Sequence, residues 1–159
     1  MIEKVKEYFK QYGMEGRILE FSESSATVEL AAHALGCEPC RIAKTLSFYV
    51  GGGVALVVCA GDAKVDNAKF KQFFGEKAKM LKPEDAEPLI GHAVGGVCPF
   101  AVNGGVRVYL DESLKRFDTV FPACGSSNSA IELTSAELEK YSTNFAGWAD
   151  VCKLPLSEN

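Results

Sequence analysis

Lys44 is the first residue whose type and setting suggest chemistry. A short turn opened by Pro39 precedes it, and an alternating run follows in which Leu46, Phe48 and Val50 face one way and Thr45, Ser47 and Tyr49 the other. That alternation is the pattern of a half-buried strand. A lysine where the turn becomes the strand can bury its stem and aim its ammonium at whatever lies over the strand end. The plain alternative is a solvated lysine. A second candidate is Gly95-Gly96-Val97-Cys98-Pro99-Phe100. Adjacent glycines let backbone amides approach a ligand closely, and a proline stiffens the exit. Such a loop can hold a carbonyl oxygen as it becomes an oxyanion, or it can be a tight structural loop. Gly125-Ser126-Ser127-Asn128-Ser129 poses the same choice, with hydroxyls added. His92 borders the first glycine loop as a candidate polar pocket residue, against the reading of a satisfied or surface histidine.

Other chemistries find less support. Cys37-Glu38-Pro39-Cys40 is one Cys-x-x-Cys pair, with His33 four residues before it. A structural zinc site needs four ligands, and no second pair follows. A thioredoxin-type pair opens a helix after a strand, whereas here a helix precedes it. Structural cysteines are the expectation. There is no Gly-x-Ser-x-Gly elbow, no His-x-Glu before a Pro-Cys-x-x-Cys, and no Gly-x-x-x-x-Gly-Lys phosphate loop.

The elements that must position these residues follow from periodicity and punctuation. Ile2, Val5, Phe9 and Tyr12 mark a first helix that stops at Gly13. A strand is expected over Arg17 to Phe21. Thr27 is a plausible N-cap for a helix that ends at Gly36. Gly51-Gly52-Gly53 joins the Lys44 strand to a second strand, Val54 to Ala60, as a hairpin. Phe70, Phe73 and Phe74 mark a helix ending at Gly75. Ala78 to Leu81 is an expected short strand, and Pro83 opens a helix closed by Gly91. Strands are expected over Val106 to Leu110, Thr119 to Cys124 and Ala130 to Leu133. Asp111 caps a short helix reaching Phe117. Thr134 and Glu137 form a capping box for the last helix, and Asn144 to Asn159 reads as a tail. Hairpins beside helices imply a mixed sheet.

The 159 residues suit one domain spanning 1–159, and 47% hydrophobic with 24% charged residues is ordinary for a globular chain. No apolar run reaches membrane-spanning length, and the charged N-terminus lacks a signal-peptide core, so a cytoplasmic location is the default. A net charge of −4 argues against extensive nucleic-acid backbone contact but leaves room for a local basic mouth. Lys64, Lys69, Lys71, Lys77, Lys79 and Lys82 cluster in one stretch that could supply it. The six cysteines are expected to behave mostly as small buried hydrophobes.

Taken together, several segments resemble the YbaK/prolyl-tRNA synthetase-associated domains, a family that includes free-standing editing deacylases. They are Thr27 with Ala34-Leu35-Gly36, Arg41-Ile42-Ala43-Lys44-Thr45-Leu46, Val57-Val58-Cys59-Ala60-Gly61-Asp62, Gly91 with Gly95-Gly96-Val97-Cys98-Pro99-Phe100, and Gly125 with Ile131-Glu132-Leu133. The resemblance spans nearly the whole chain and implies a compact α/β domain, a mixed barrel-like β-sheet flanked by helices. It implies hydrolysis of the ester in a mischarged aminoacyl-tRNA, often tRNA(Pro) carrying cysteine, alanine or another small residue. Lys44 matches the family lysine needed for activity, which helps hold the acceptor end. Gly95 and Pro99 match a Gly-x-x-x-Pro loop near the aminoacyl group, and Gly125 matches the start of the loop that closes the pocket. On this resemblance Lys44, Gly95 and Gly96 are the expected catalytic residues. Thr27, Thr45, Pro99 and Phe100 are expected to bind substrate, together with Gly125, Ser126, Ser127 and His92. No metal or cofactor is implied; the implied partners are aminoacyl-tRNA and prolyl-tRNA synthetase. Thr45 stands where some alanine-specific relatives carry asparagine, and the Gly125 loop has serines and no histidine, which leaves the amino acid open. The competing reading is a non-catalytic binding module of the same fold, recognising a small ligand or a synthetase.

Overall fold

The computed structural model describes residues 2–156, so the ends of the expected 1–159 domain, Met1 and the last residues from Ser157, lie outside the described ones. In chain order the elements are α1 (Ile2–Lys10), β1 (Ile18–Glu20), α2 (Val28–Leu35), β2 (Ile42–Val50), β3 (Gly53–Ala60), β4 (Lys64–Val65), α3 (Asn67–Phe74) and α4 (Pro83–Ile90). They continue with β5 (Arg107–Asp111), β6 (Thr119–Pro122), β7 (Ser129–Ile131), β8 (Leu133–Thr134), α5 (Ser135–Tyr141), β9 (Phe145–Ala149) and β10 (Cys152–Lys153). Short 3-10 turns precede β1 and β2 and follow β5.

Six strands form the main sheet in the order β8-β6-β2-β3-β5-β9. It is mixed: β2 and β3 are an antiparallel hairpin, while β2–β6, β3–β5 and β5–β9 run parallel. The hairpin turns at Gly51 and Gly52, whose φ values of 59° and 78° are the left-handed pair that a two-residue turn requires. β3 is buried from Val54 to Ala60 because it is central and covered on both faces. The core gathers Phe9, Phe48, Phe70, Phe100, Leu56 and Leu110 around it. The architecture is the expected mixed α/β fold.

Helix ends follow local chemistry. Thr27 accepts from the Leu30 amide at the start of α2, and Gly36 ends that helix in the left-handed region. The Thr134–Glu137 capping box forms at α5. Pro83 opens α4, and Asp111 caps the 3-10 turn over Glu112–Arg116, tighter than the helix expected there.

Several expectations are corrected. The strand over Arg17 to Phe21 shortens to β1, because a 3-10 turn takes Arg17. Ala78 to Leu81 makes a single bridge, Phe48 to Met80, with the Tyr49 amide on Lys79 O at 2.9 Å and the Leu81 amide on Ser47 O at 3.0 Å. β6 stops at Pro122, which has no amide to extend a ladder. The strand expected from Ala130 to Leu133 splits at Glu132: β7 pairs with β1, and β8 with β6. The C-terminal stretch read as a tail contains β9 and β10, which pair with β5 and β4.

Candidate functional site

A cleft of about 420 Å³ opens beside β2. Its floor is β2 from Ile42 to Ser47, and α2 supplies Thr27, Val28 and Ala31. Met80, Leu81, Lys82, Pro83 and Ala86 form the wall that enters α4. Val94, Gly95 and Val97 cover it, while Phe121, Ala123, Ser129 and Ala130 close the back. No Asp, Glu, His or Cys is among these lining residues.

Strand β2 begins at Ile42, so Lys44 lies inside it, opposite Cys59 of β3, rather than at its edge. Its ammonium donates to Gly61 O at 3.3 Å and to Ala63 O. An ammonium has three donors, so one remains without a protein partner among the described residues. Next along the strand, the Thr45 hydroxyl is buried with no hydrogen-bond partner among the described residues. It belongs to a cleft-lining residue.

The two glycine loops meet beside the cleft. A methyl group at Gly96 would lie 2.7 Å from the carbonyl carbon and oxygen of Gly125 and 2.8 Å from the Ser126 amide. Only a glycine permits that approach. Gly95 has φ +93°, and a methyl there would sit 3.5 Å from Ser127 Cβ, so its glycine answers a backbone requirement rather than crowding. The Ser25 amide and hydroxyl both donate to Ser127 O, the hydroxyl at 2.9 Å. The Asn128 side chain donates to Phe21 O at 2.9 Å, and the Phe21 amide to Asn128 O at 2.8 Å. These bonds fasten the loop before α2 to the Gly125 loop. Ser126 Oγ lies 2.7 Å from the Ser129 hydroxyl, and Ser129 reaches the cleft.

Thr27, Lys44, Thr45 and Gly95 therefore share one cavity. The other expected site residues stand behind its wall. Gly96 is buried, and its amide donates to Ala93 O at 3.0 Å, which withholds it from the cleft. Pro99 O accepts from the Thr143 amide at 2.9 Å, and Phe100 is fully buried against Phe9, ring centroids 4.8 Å apart. Gly125 is buried, and Ser126 and Ser127 bind neighbouring loop atoms rather than lining the cavity. His92 is fully buried; its Nε2–H donates to Phe100 O at 2.7 Å, and Cys98 Sγ lies 3.5 Å from the same nitrogen. Burial drives its pKa down from 6.5 to about 4, so the ring is neutral. Burial also pushes the Cys98 thiol up to about 12, so this pair is no thiolate–imidazolium nucleophile.

Sequence reasoning missed Ser25 and, apart from Lys82, the Met80–Pro83 segment, whereas Ser129 is the one member of the expected Gly125 to Ser129 loop that lines the cleft. Met80 is 55% exposed yet lines the mouth. The only signal there was a lysine before a helix-opening proline. Of the clustered lysines, Lys82 alone lines the cleft, while Lys69 is tied to Asp150 at 3.0 Å and Lys79 lies over the Tyr49 ring. Cys37 and Cys40 are half-buried free thiols away from the cavity. Among the described residues, no helix is long and apolar enough to cross a membrane.

Residues 22–141 match the model of the aminoacyl-tRNA editing domain. A Bacillus subtilis protein, YwhH, whose name describes it only as uncharacterised, is 54% identical over 96% of this chain and 97% of its own. A candidate Cys-tRNA(Pro)/Cys-tRNA(Cys) deacylase of Enterococcus faecalis, EbsC, is 30% identical over 84% of this chain and 79% of its own. A proline–tRNA ligase of Nitratidesulfovibrio vulgaris matches over 56% of this chain, at 30% identity, but over only 16% of the ligase. Among solved structures, a candidate trans-editing enzyme for prolyl-tRNA synthetase superimposes with a TM-score of 0.85 and 29% identity, covering 96% of each chain.

Proposed function

The chain belongs to the aminoacyl-tRNA editing domain family, and from that premise we propose that it is a free-standing deacylase. It hydrolyses the ester of mischarged aminoacyl-tRNA, with tRNA(Pro) carrying cysteine or another small amino acid as its substrate. The observation that carries the reading is Lys44, a lining residue of the cavity that Gly95 covers, whose ammonium is anchored by two carbonyls with a donor left over. That donor meets an oxygen of the acceptor end.

The lining shapes the mechanism. With no carboxylate, imidazole or thiol on the wall, no side chain among the described residues is placed as a general base. An aminoacyl ester is already activated, so positioning and stabilisation of the oxyanion supply the rate. Water, or the substrate's own thiol where it carries one, adds to the ester carbonyl. The tetrahedral oxyanion collapses, and the ribose oxygen leaves with a proton. The cavity volume suits a terminal nucleoside with a small aminoacyl group. Ala31, Ala43, Ala86, Ala123 and Ala130 keep the walls shallow, while the Thr45 hydroxyl offers a polar partner. A buried hydroxyl in need of a hydrogen bond favours a thiol or hydroxyl side chain over a purely apolar one.

The test is a deacylation panel on tRNA(Pro) charged in turn with cysteine, alanine, serine and proline. Rapid release of the small noncognate residues, with prolyl-tRNA spared, is the expected result. Binding of charged tRNA without turnover of any of the four would favour the binding module instead.

A further inference from the structure

The two carbonyls that hold Lys44 flank Asp62. The Asp62 carboxylate takes a two-point contact from Arg116, Nη1 to Oδ2 at 3.1 Å and Nη2 to Oδ1 at 2.6 Å. Arg116 is itself fixed, because its Nε donates to Ser113 O at 2.9 Å. Ser113 in turn accepts from the Ala60 amide through its hydroxyl at 3.1 Å, and the Ala63 amide closes the turn on Ala60 O at 3.0 Å. On the other side, a methyl group at Gly61 would lie 2.0 Å from Pro39 O and 2.8 Å from Val28 Cγ1, so that peptide is wedged against the turn leading into β2 and against α2. Every tether converges on the segment from Ala60 to Ala63, which does not line the cleft.

We propose that Asp62 and Arg116 are a positioning pair for Lys44: their fork fixes the Gly61 to Ala63 turn so that its carbonyls grip the ammonium and leave its remaining donor for the cleft. The pair itself touches no substrate. An ion pair this open, with side chains 26% and 33% exposed, adds little to global stability. Its value lies in geometry, since a planar guanidinium on both carboxylate oxygens restrains rotation where a lysine would not. The Arg116 guanidinium also holds the Asp62 carboxyl below its usual range, so the pair stays ionised at neutral pH.

The kinetic part rests on the deacylase reading, whereas the structural part does not, and two readouts keep them apart. The first is proton exchange of the Lys44 ammonium in nitrogen-15-labelled full-length protein at low temperature, its signal assigned by loss in Lys44→Arg. The second is kcat and KM for deacylation. In both Arg116→Lys and Asp62→Asn, the Lys44 signal should vanish into fast exchange. At the same time kcat should fall about tenfold, with KM within about twofold and the melting temperature within about 3 °C. Lys6→Gln, which breaks the exposed Lys6–Glu20 pair at 2.8 Å, should change neither readout. Native exchange and native kcat in Arg116→Lys would overturn the proposal, because charge would then suffice without the fork. So would a kcat that drops only in step with the folded fraction. If the native protein deacylates nothing, the deacylase reading fails, and the exchange experiment still decides the cradle by itself.

Discussion

Lys44 presents its ammonium from inside a strand, which makes it a different residue from a flexible lysine on a rim. Its head is bonded to Gly61 O and Ala63 O, and the residue lines the cavity. A charge-assisted hydrogen bond is worth roughly 1.5–3 kcal/mol. If that donor meets substrate, Lys44→Ala should slow deacylation by roughly tenfold to a hundredfold or more, with the protein still folded by circular dichroism. Lys44→Arg should restore little, because the wider guanidinium does not fit a cradle made for a compact ammonium. Wild-type rates in Lys44→Ala on every charged tRNA would count against the site. Lys82 belongs to a different regime. It lines the mouth, and no ion pair holds it among the described residues. Lys82→Gln should weaken tRNA binding modestly and reduce the slope of log affinity against log salt by about 0.7, the share of one phosphate contact to a single strand. Filter binding across a salt series would show it, and an unchanged slope would remove Lys82 from the interface.

At the scale of elements, the cleft depends on two loops being pressed together. Gly96 meets the Gly125 carbonyl and the Ser126 amide, which are backbone and have little freedom to move aside. Gly96→Ala should therefore part the loops at a cost of about 1–3 kcal/mol. It should also lower deacylation beyond the loss in folded protein, since the two loops bring Gly95 and Ser129 to the cavity. Gly104→Ala is the control: no atom lies within 4 Å of a methyl group there, and its φ is not positive. Chemical denaturation and single-turnover rates on both variants would separate the two outcomes, and equal behaviour of the pair would show that the loop contact is dispensable.

At the scale of the whole molecule, the net charge is −4, yet among the described residues the cavity lining carries only lysines as charged groups. The core beneath it has an acid weakness. His92 is neutral and bonded to Phe100 O, and its pKa is lowered from 6.5 to about 4 by burial, with Lys4 adding a smaller push. The unfolded chain takes up that proton more readily than the folded one. The stability contributed by the neutral ring is complete above about pH 6.5. It falls as the pH drops toward the folded pKa, by roughly 3 kcal/mol at most. Melting temperature measured from pH 7 to pH 4 should decline, and more gently in His92→Gln, whose amide can still donate to Phe100 O without titrating. Parallel declines in the two proteins would assign the acid sensitivity to other groups.

Local chemistry is what the chain carries in its own letters. Thr27 and the Thr134–Glu137 box cap their helices because the bonds involved span three residues. Gly51 and Gly52 turn the hairpin, and the alternation from Thr45 to Val50 makes a strand, for the same reason: each depends only on neighbours. The family resemblance added the fold and singled out Lys44 and Gly95, which the structure brings into one cavity. Distant partners decided the rest. β9 is a strand because β5 offers it a parallel ladder, and its Ala146 and Gly147 gave no sign of one. The strand expected from Ala130 to Leu133 divides at Glu132 because its two halves find different sheets. His92, Gly96 and Phe100 belong to the glycine loop by sequence but stand behind the cleft, since a loop that presents Gly95 to one side must bury its other side. The grip on Lys44 comes from a turn whose anchors, Asp62 and Arg116, are far apart along the chain, and only the folded molecule brings them together.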